Sequence, residues 1–399
     1  MTAAGPAQRQ RAARAGGVSA AREAAQRPTL GNNAPTSSGG ADAARERRNQ
    51  AWALRRRLWE ISSLPRVRAC GRVSRNAVGG PTLRVSGDEG SRAAGFAGLV
   101  HCGSPWACPC CARRIGAQRA QEIREVVSAV DADGGGCGLV TLTLRHHRGH
   151  RLTDSWSALR HAWARVTSGR AYQREVEQFG ITGWIAAVEV THSDRNGHHP
   201  HLHVVLCFDT PVSDDLLGEL GSRWFARYQR ALARRGFDAL EFDGGLDTRT
   251  VTADSSGALA VYLAKLSLEV TGSTRKTGRR HSSRTMWEVL ADGVATGLAD
   301  DLEAWFEYER ASHGRKQVTF SRGLRQRYRL AEEETDEDIA AADLGSDDLI
   351  ALPAETWRAV RDVAEELLTV AEAEGLEGAV RWLSARRLAW SWARPAPPT

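Results

Sequence analysis

The most informative pattern in the chain is histidine at alternate positions: His199-Pro200-His201-Leu202-His203 runs straight into Val204-Val205-Leu206-Cys207-Phe208. In a strand, side chains two apart leave the same face, so His201 and His203 project together while Leu202, Val204, Leu206 and Phe208 enter a core. Two imidazoles on one face are half of a metal site. Upstream, Trp184, Ala186, Val188 and Val190 alternate with polar Glu189 and Thr191. If the two segments pair with their apolar faces in agreement, opposite residues share parity, and a register setting 189 against 203 brings Glu189 beside the histidines. Two histidines and a carboxylate suit Mg²⁺, Mn²⁺ or another divalent ion acting as a Lewis acid on a phosphoryl oxygen. The competing reading is a hairpin whose surface is merely His-rich, which explains one histidine better than a cluster.

Three other groups of residues offer chemistry. Tyr262 and Lys265 share a helix face; a phenol near a metal-polarised phosphate can act as nucleophile, and an ammonium beside it can lower its pKa or offset developing charge. On its own, Tyr-x-x-Lys is also what any half-buried amphipathic helix offers. Seven cysteines are an odd number in a chain without an export signal, which favours metal ligation over disulfides. Cys70, Cys102, Cys108 and Cys111, the last two in a C-x-x-C knuckle, would make a closed tetrahedral Zn²⁺ site that staples a segment with little core of its own. Cys110 and His101 are spare donors, whereas Cys137 and Cys207 fall in predicted strands and read as small buried apolar residues. Basic runs at Arg55-Arg56-Arg57, Arg113-Arg114 and Arg322 to Arg329 are available to phosphates. Arg275, Lys276, Arg279, Arg280 and Arg284 follow the Tyr262 helix closely and are best placed to grip a nucleic-acid strand.

The elements that must position these groups are legible in order. Gly138–Leu144 alternates as a strand; Trp156, Leu159, Trp163 and Val166 follow helical spacing behind a Thr153/Asp154 cap; Ile181–Thr191 and Pro200–Phe208 are strands joined by a polar turn over Ser193–His198. Ser213 caps a helix, Leu246–Val251 is a fourth strand and Leu259–Val270 a closing helix. The series β-α-β-β-α-β predicts an α+β fold built on a ferredoxin-like, split β-α-β antiparallel sheet. The 399 residues allow two or three domains at roughly 150 each. The expected division is a disordered basic arm (1–45), a Cys-rich zinc-stapled segment (46–130), the sheet domain (131–272), a basic loop and helical DNA-binding extension (273–330), a solvated acidic linker (331–352) and C-terminal helices (353–399). Net charge +6 fits a polyanionic partner, with eleven arginines against four acids in residues 1–60 and nine acids without a base in 331–350. With no run of eighteen apolar residues and no secretory signal, a cytoplasmic protein without a membrane partner is expected.

Thr141-Leu142-Thr143 in a strand, then His-Pro-His-Leu-His, then Tyr-Leu-Ala-Lys, together resemble the three motifs of rolling-circle plasmid replication initiators of the HUH endonuclease superfamily. The segment HCGSPWACPCCARR and the stretch from Trp305 to Arg325 resemble actinobacterial members, those of Streptomyces-type plasmids and integrative elements. The resemblance spans about residues 65–330. It implies that 131–272 is an HUH endonuclease domain in which His201 and His203 bind the metal and Tyr262 attacks a scissile phosphodiester, leaving a 3′-hydroxyl and holding the 5′-phosphate, with Lys265 assisting. It further implies origin DNA, duplex and single-stranded, as partner. Since the chain has no G-x-x-x-x-G-K-[ST] loop, a host helicase is needed, alongside single-strand binding protein and polymerase. Where some relatives carry a glutamate one turn before the tyrosine this chain has Ala258, so the terminating base is unassigned, with Asp254 and Glu269 as weak substitutes.

Three alternatives remain open at this level. The same nuclease chemistry could serve transposition or mobilisation; the hairpin could be structural within a zinc-stapled DNA-binding regulator; or His199-x-His201-x-His203 could belong to a histidine-triad nucleotide hydrolase, which needs neither metal nor tyrosine.

Overall fold

A computed structural model describes residues 39–76, 79–87, 89, 92–251, 283–342 and 348–393. The expected arm up to residue 38, the expected closing helix and the basic loop as far as residue 282 lie outside that range. The chain is already helical from Gly39: α1 (Gly39–Ile61) takes in the last residues of the expected arm. A short α2 (Pro65–Ala69), opened by a proline whose missing N–H costs nothing there, leads to the hairpin β1 (Thr82–Ser86) and β2 (Ala93–Ala97). The long α3 (Pro109–Ala132) buries Ile115, Ile123, Val126 and Val130 at the spacing anticipated and ends before the glycine run at 134–136.

Next comes the principal sheet. Its elements are β3 (Gly136–Thr143), α4 (Leu152–Val166), α5 (Gly169–Phe179), β4 (Ile181–Ser193), β5 (Gly197–Phe208), α6 (Asp214–Ala233) and β6 (Leu246–Val251). Further on, β7 (Arg284–Thr285), α7 (Met286–Thr296), α8 (Ala299–Ser312), β8 (Val318–Phe320) and α9 (Leu324–Arg327) complete its edge. The strand order is β6-β3-β5-β4-β7, every neighbouring pair antiparallel, with β8 also on β4. Thus β5 lies between β3 and β4, which are joined through helices. Helix α5 has no counterpart in the sequence reading, and α4 departs from it at its start. The N-cap is Arg151, without a side-chain bond, while Glu307 of α8 accepts from the Leu152 N–H at 2.7 Å. A carboxylate distant in sequence does the work expected of Thr153/Asp154, placing negative charge at the helix N-terminus.

The sheet is covered on both faces. Its even-numbered residues, among them Val140, Leu142, Val188, Leu202, Val204 and Leu206, pack against Trp156, Leu159, Leu217, Leu220 and Trp224 of α4 and α6. Odd-numbered Cys137, Leu139, Ile185, Ala187, Val205 and Cys207 pack against Ile123, Val126 and Val127 of α3, with Val318 and Leu324. Because α3 covers only part of this second face, the part carrying Thr141, Thr143, Glu189, His201 and His203 is left to polar chemistry.

A second sheet, ordered β10-β9-β1-β2, joins the two ends of the described chain. Helix α10 (Asp336–Ala341) precedes β9 (Asp348–Ala351), α11 (Ala354–Val360), a turn of 3₁₀ helix (Arg361–Val363), α12 (Ala364–Ala385) and β10 (Ser391–Trp392). Leu83, Phe96 and Leu99 share one core with Ile350, Leu352, Trp357, Leu367, Leu368, Leu383 and Trp52 of α1. Arg48 and Arg56 pair with Glu372 and Glu365 across it. The reading of 331–352 as a solvated linker is therefore corrected. Ile339 and Ala340 are buried, Asp336 meets Arg119 at 2.9 Å, and β9 forms a central strand. An average over an acidic window hides an inward-facing pair of residues whose acidic neighbours stay in water. Gly375, with φ +69°, divides α12 into two helical stretches. Among the described residues no helix is long and apolar enough to cross a membrane.

Candidate functional site

The hairpin register fixes the histidine site. Glu189 stands opposite His201 and Ala187 opposite His203, so the anticipated pairing of 189 with 203 is displaced by two residues. Alternation determines parity, but the turn determines register, and here Ser193 pairs with Gly197 around a three-residue turn. The carboxylate still arrives, along the diagonal: Glu189 Oε2 is 3.1 Å from His203 Nε2. From the other neighbouring strand, Thr141 Oγ1 lies 3.1 Å from His203 Nδ1, so both ring nitrogens of His203 are engaged.

His201, opposite Thr143 on β3, is differently placed. Its Nδ1 is buried and has no hydrogen-bond partner. The rings of His146, His199 and His201 form a row with centroids 4.1 and 3.9 Å apart, and His201 and His203 lie 6.0 Å apart with planes 20° from parallel. Burial, reinforced by His203 and opposed by Glu189, pushes His201 down to about 4. Burial also lowers His146 and His199. Neutral imidazoles with a free nitrogen are the form that binds metals. Among the described residues, however, His201, His203 and Glu189 do not bring three donor atoms within 4.8 Å of one another; Cys70, Cys102, Cys108 and Cys111 are the group that does.

That cysteine group is built from three pieces of chain. Cys70 follows α2, Cys102 sits in the loop after β2, and Cys108 and Cys111 open α3, whose N-terminal dipole favours thiolates. All four are buried, with Sγ separations of 3.5 Å (Cys70–Cys111), 3.6 Å (Cys70–Cys108) and 3.7 Å (Cys102–Cys111). A zinc ion with bonds of about 2.3 Å to four sulfurs spaces them by about 3.8 Å, so this shell fits such a metal without rearrangement. A second observation agrees. Arg55 of α1 is 2% exposed, and its Nε and Nη2 have no hydrogen-bond partner. Its guanidinium stacks 3.4 Å over Trp52, and an added Cβ on Gly71, next to Cys70, would lie 2.3 Å from its Cζ. A buried, uncompensated guanidinium is costly, and a metal-bound thiolate cluster would supply the negative charge it lacks. Burial alone would lower Arg55, yet Cys110, Cys70, Cys108 and Cys111 raise it on balance. Cys110 stands outside the four: it packs against both cores, and burial pushes it up to about 11.

The remaining predicted site residues divide sharply. Tyr262 and Lys265, with Ala258, Asp254 and Glu269, lie outside the described residues, as do Arg275, Lys276, Arg279 and Arg280. Arg284 is described and is not a free phosphate ligand. It meets Asp301 at 2.6 and 2.9 Å, Asp194 at 2.7 Å and Asp292 at 2.8 Å, tying β7 to the hairpin end. Much of the other basic material is also used internally: Arg114 bonds the Ala340 carbonyl, Arg325 pairs with Glu122, and of Arg55-Arg56-Arg57 only Arg57 is half exposed. Sequence reasoning passed over Arg55 as one of a basic run; the signal available was its place on a helix between Trp52 and Trp59.

A family model described as Replication protein matches residues 97–359. A Streptomyces lividans protein named "Protein rep" is 30% identical over 351 residues, covering 70% of this chain and 76% of its own. A Streptomyces cyanogenus protein named "Neomycin resistance protein" is 32% identical over 177 residues, 34% of this chain and 40% of that one. No solved structure matches.

Proposed function

The chain belongs to the Replication protein family, and from that premise we propose that it starts rolling-circle replication of a plasmid by nicking and rejoining one strand of the origin. The observation that carries this reading is the polar half-face of the principal sheet, where Thr141, Glu189, His201 and His203 meet on three adjacent antiparallel strands. The strand order supports a ferredoxin-like sheet of the HUH type.

In this reading His201 and His203, with Glu189 as third donor, would hold a Mg²⁺ or Mn²⁺ ion once Glu189 gives up its contact with His203 Nε2 and the three donors draw together. The bound ion supplies charge neutralisation at a non-bridging phosphate oxygen. Thr141 holds the His203 ring in one orientation, as outer partners of metal-binding histidines do. Tyr262 is the nucleophile. Its phenolate oxygen forms a bond to phosphorus as the bond to the 3′-oxygen breaks; the departing oxygen takes up a proton, and the 5′-phosphate stays on the tyrosine. Attack by a later 3′-hydroxyl reverses these events, so the bond energy is conserved and no nucleotide triphosphate is consumed. Lys265 offsets charge at the phenol, and Arg275, Lys276, Arg279 and Arg280 grip the strand, without Arg284. Cys70, Cys102, Cys108 and Cys111 hold a structural Zn²⁺. A host helicase, single-strand binding protein and polymerase complete the cycle in the cytoplasm.

The test is incubation of wild type, Tyr262→Phe and His201→Ala with end-labelled single-stranded origin DNA, with Mn²⁺ or EDTA, on a denaturing gel. Wild type with Mn²⁺ is expected to carry the downstream label covalently, and both variants and the EDTA lane to lose it. An adduct that survives Tyr262→Phe removes the nucleophile assignment, and one that survives His201→Ala removes the metal pair.

A further inference from the structure

Phe242 is an anomaly beside the histidine face. It is 98% exposed, the most open of the large apolar side chains among the described residues, and Leu240 two positions earlier is 37% exposed. An exposed phenyl ring on a loose loop would need no explanation, but this loop is fastened on both sides. The carbonyl of Leu240 accepts from the N–H groups of Asp243 (3.2 Å) and Gly245 (2.9 Å). Ser222 of α6 donates to the Glu241 carboxylate, and Thr143 Oγ1 donates to the Gly244 carbonyl at 2.9 Å. Gly244 has φ +78°, which admits glycine readily, and a Cβ on Gly245 would stand 2.4 Å from the Leu240 carbonyl oxygen. The backbone is therefore closely specified, and it holds an aromatic ring out into water.

The place of the loop supplies the meaning. Thr143 projects from the polar half-face and pairs directly with His201, so Phe242 stands at the border of the candidate nicking site, on the side where β6 begins. The loop Glu241–Gly245 carries two acids and no base, so it has nothing with which to hold a phosphate. What an exposed ring offers a single strand is its face, on which any nucleobase stacks by dispersion and release of water.

Resting on the proposed nicking function, we infer that Phe242 is a stacking platform for a nucleobase of single-stranded DNA, positioning the strand that runs over His201 and His203. The contact is to a base and not to the backbone, so it adds affinity without adding salt dependence. Its exposure makes it removable without cost to the fold.

The experiment uses the full, zinc-loaded chain in a Tyr262→Phe background without added Mg²⁺ or Mn²⁺ and without chelator, so that binding is read without cleavage and stands apart from whether the nicking mechanism is right. Fluorescence anisotropy would compare Phe242 with Phe242→Ala and Phe242→Trp on a labelled single strand, the same strand made abasic, and a duplex, over a range of salt. For Phe242→Ala the expected result is a loss of about five- to a hundred-fold on the base-bearing strand. The abasic strand, the duplex, the slope of affinity against salt and the melting temperature should be unchanged, and Phe242→Trp should restore binding. Equal affinity of Phe242 and Phe242→Ala for the base-bearing strand overturns the inference. So does an equal loss on the abasic strand, which would mean a backbone contact, or a lowered melting temperature, which would mean the ring packs within the protein.

Discussion

Arg55 brings a permanent charge into a core where two of its nitrogens have no partner, and four cysteines sit beside it with their sulfurs at metal-binding spacing. If the thiolates and a Zn²⁺ ion are what balance that charge, removing the guanidinium should loosen the metal. Arg55→Met is expected to weaken zinc retention by roughly ten- to a hundred-fold, with Arg55→Lys intermediate, as measured by the rate at which a chromogenic chelator withdraws zinc. Equal withdrawal rates would mean that the charge is balanced elsewhere. A second residue-scale expectation concerns pH. Burial, then His198 and Arg284, hold His192 down to about 4, against the opposing pull of Asp194 and Asp301. Above about pH 6.5 the ring is neutral in both folded and unfolded chains; between about 6.5 and 4 only the unfolded chain takes up the proton. Stability should thus fall as pH drops through that window, and the melting temperature of His192→Gln should fall less steeply than that of wild type. Parallel profiles would exclude His192 as the source. Residue types pointed to the histidines and cysteines as candidates, because those side chains have few other reasons to recur at such spacings. Arg55 was hidden in a run of three arginines, since a helix turns neighbouring residues through about 100° and sends each to a different environment.

At the scale of elements, caps and alternation were readable where they are local. Ser213 caps α6 as expected, by accepting from the Leu216 N–H. Ser213→Ala should cost about 1 kcal/mol, readable in a urea titration as a lower midpoint with an unchanged slope; an unchanged midpoint would show that water replaces the hydroxyl. The start of α4 was not readable, because the carboxylate that caps it belongs to Glu307, far along the chain. The same distinction separates parity from register in the hairpin. Alternation placed Glu189 and His203 on one face, but the length of the turn set Glu189 opposite His201, and only the reach of a glutamate along the diagonal restored the contact. Helix α5 escaped notice although Tyr172, Val176 and Phe179 stand at helical spacing and pack half-buried against the main core, because in GRAYQREVEQF these three are diluted among polar residues.

At the scale of the molecule, the second core is assembled from both ends of the described chain. A protein ending near residue 345 would lack Ile350, Leu352, Trp357, Leu367, Leu368 and Leu383, leaving Leu83, Phe96 and Leu99 without their packing partners. Limited proteolysis of that truncation should cut β1 and β2 faster than in the full chain, where Leu83 and Phe96 are buried; equal rates would mean that the β1–β2 hairpin stands without its C-terminal cover. The sequence by itself determined the order of the strands around the histidines, the parity of their faces and the membership of the cysteine cluster. Each of these rests on interactions between residues near in sequence or on side chains of singular chemistry. The tertiary structure alone decided which arginines are spent inside the protein, that an acidic stretch supplies both a buried helix face and a central strand, and that a phenyl ring stands open beside the polar half-face. Those outcomes depend on which segments meet in space, and burial, charge pairing and exposure are properties of that meeting, not of composition.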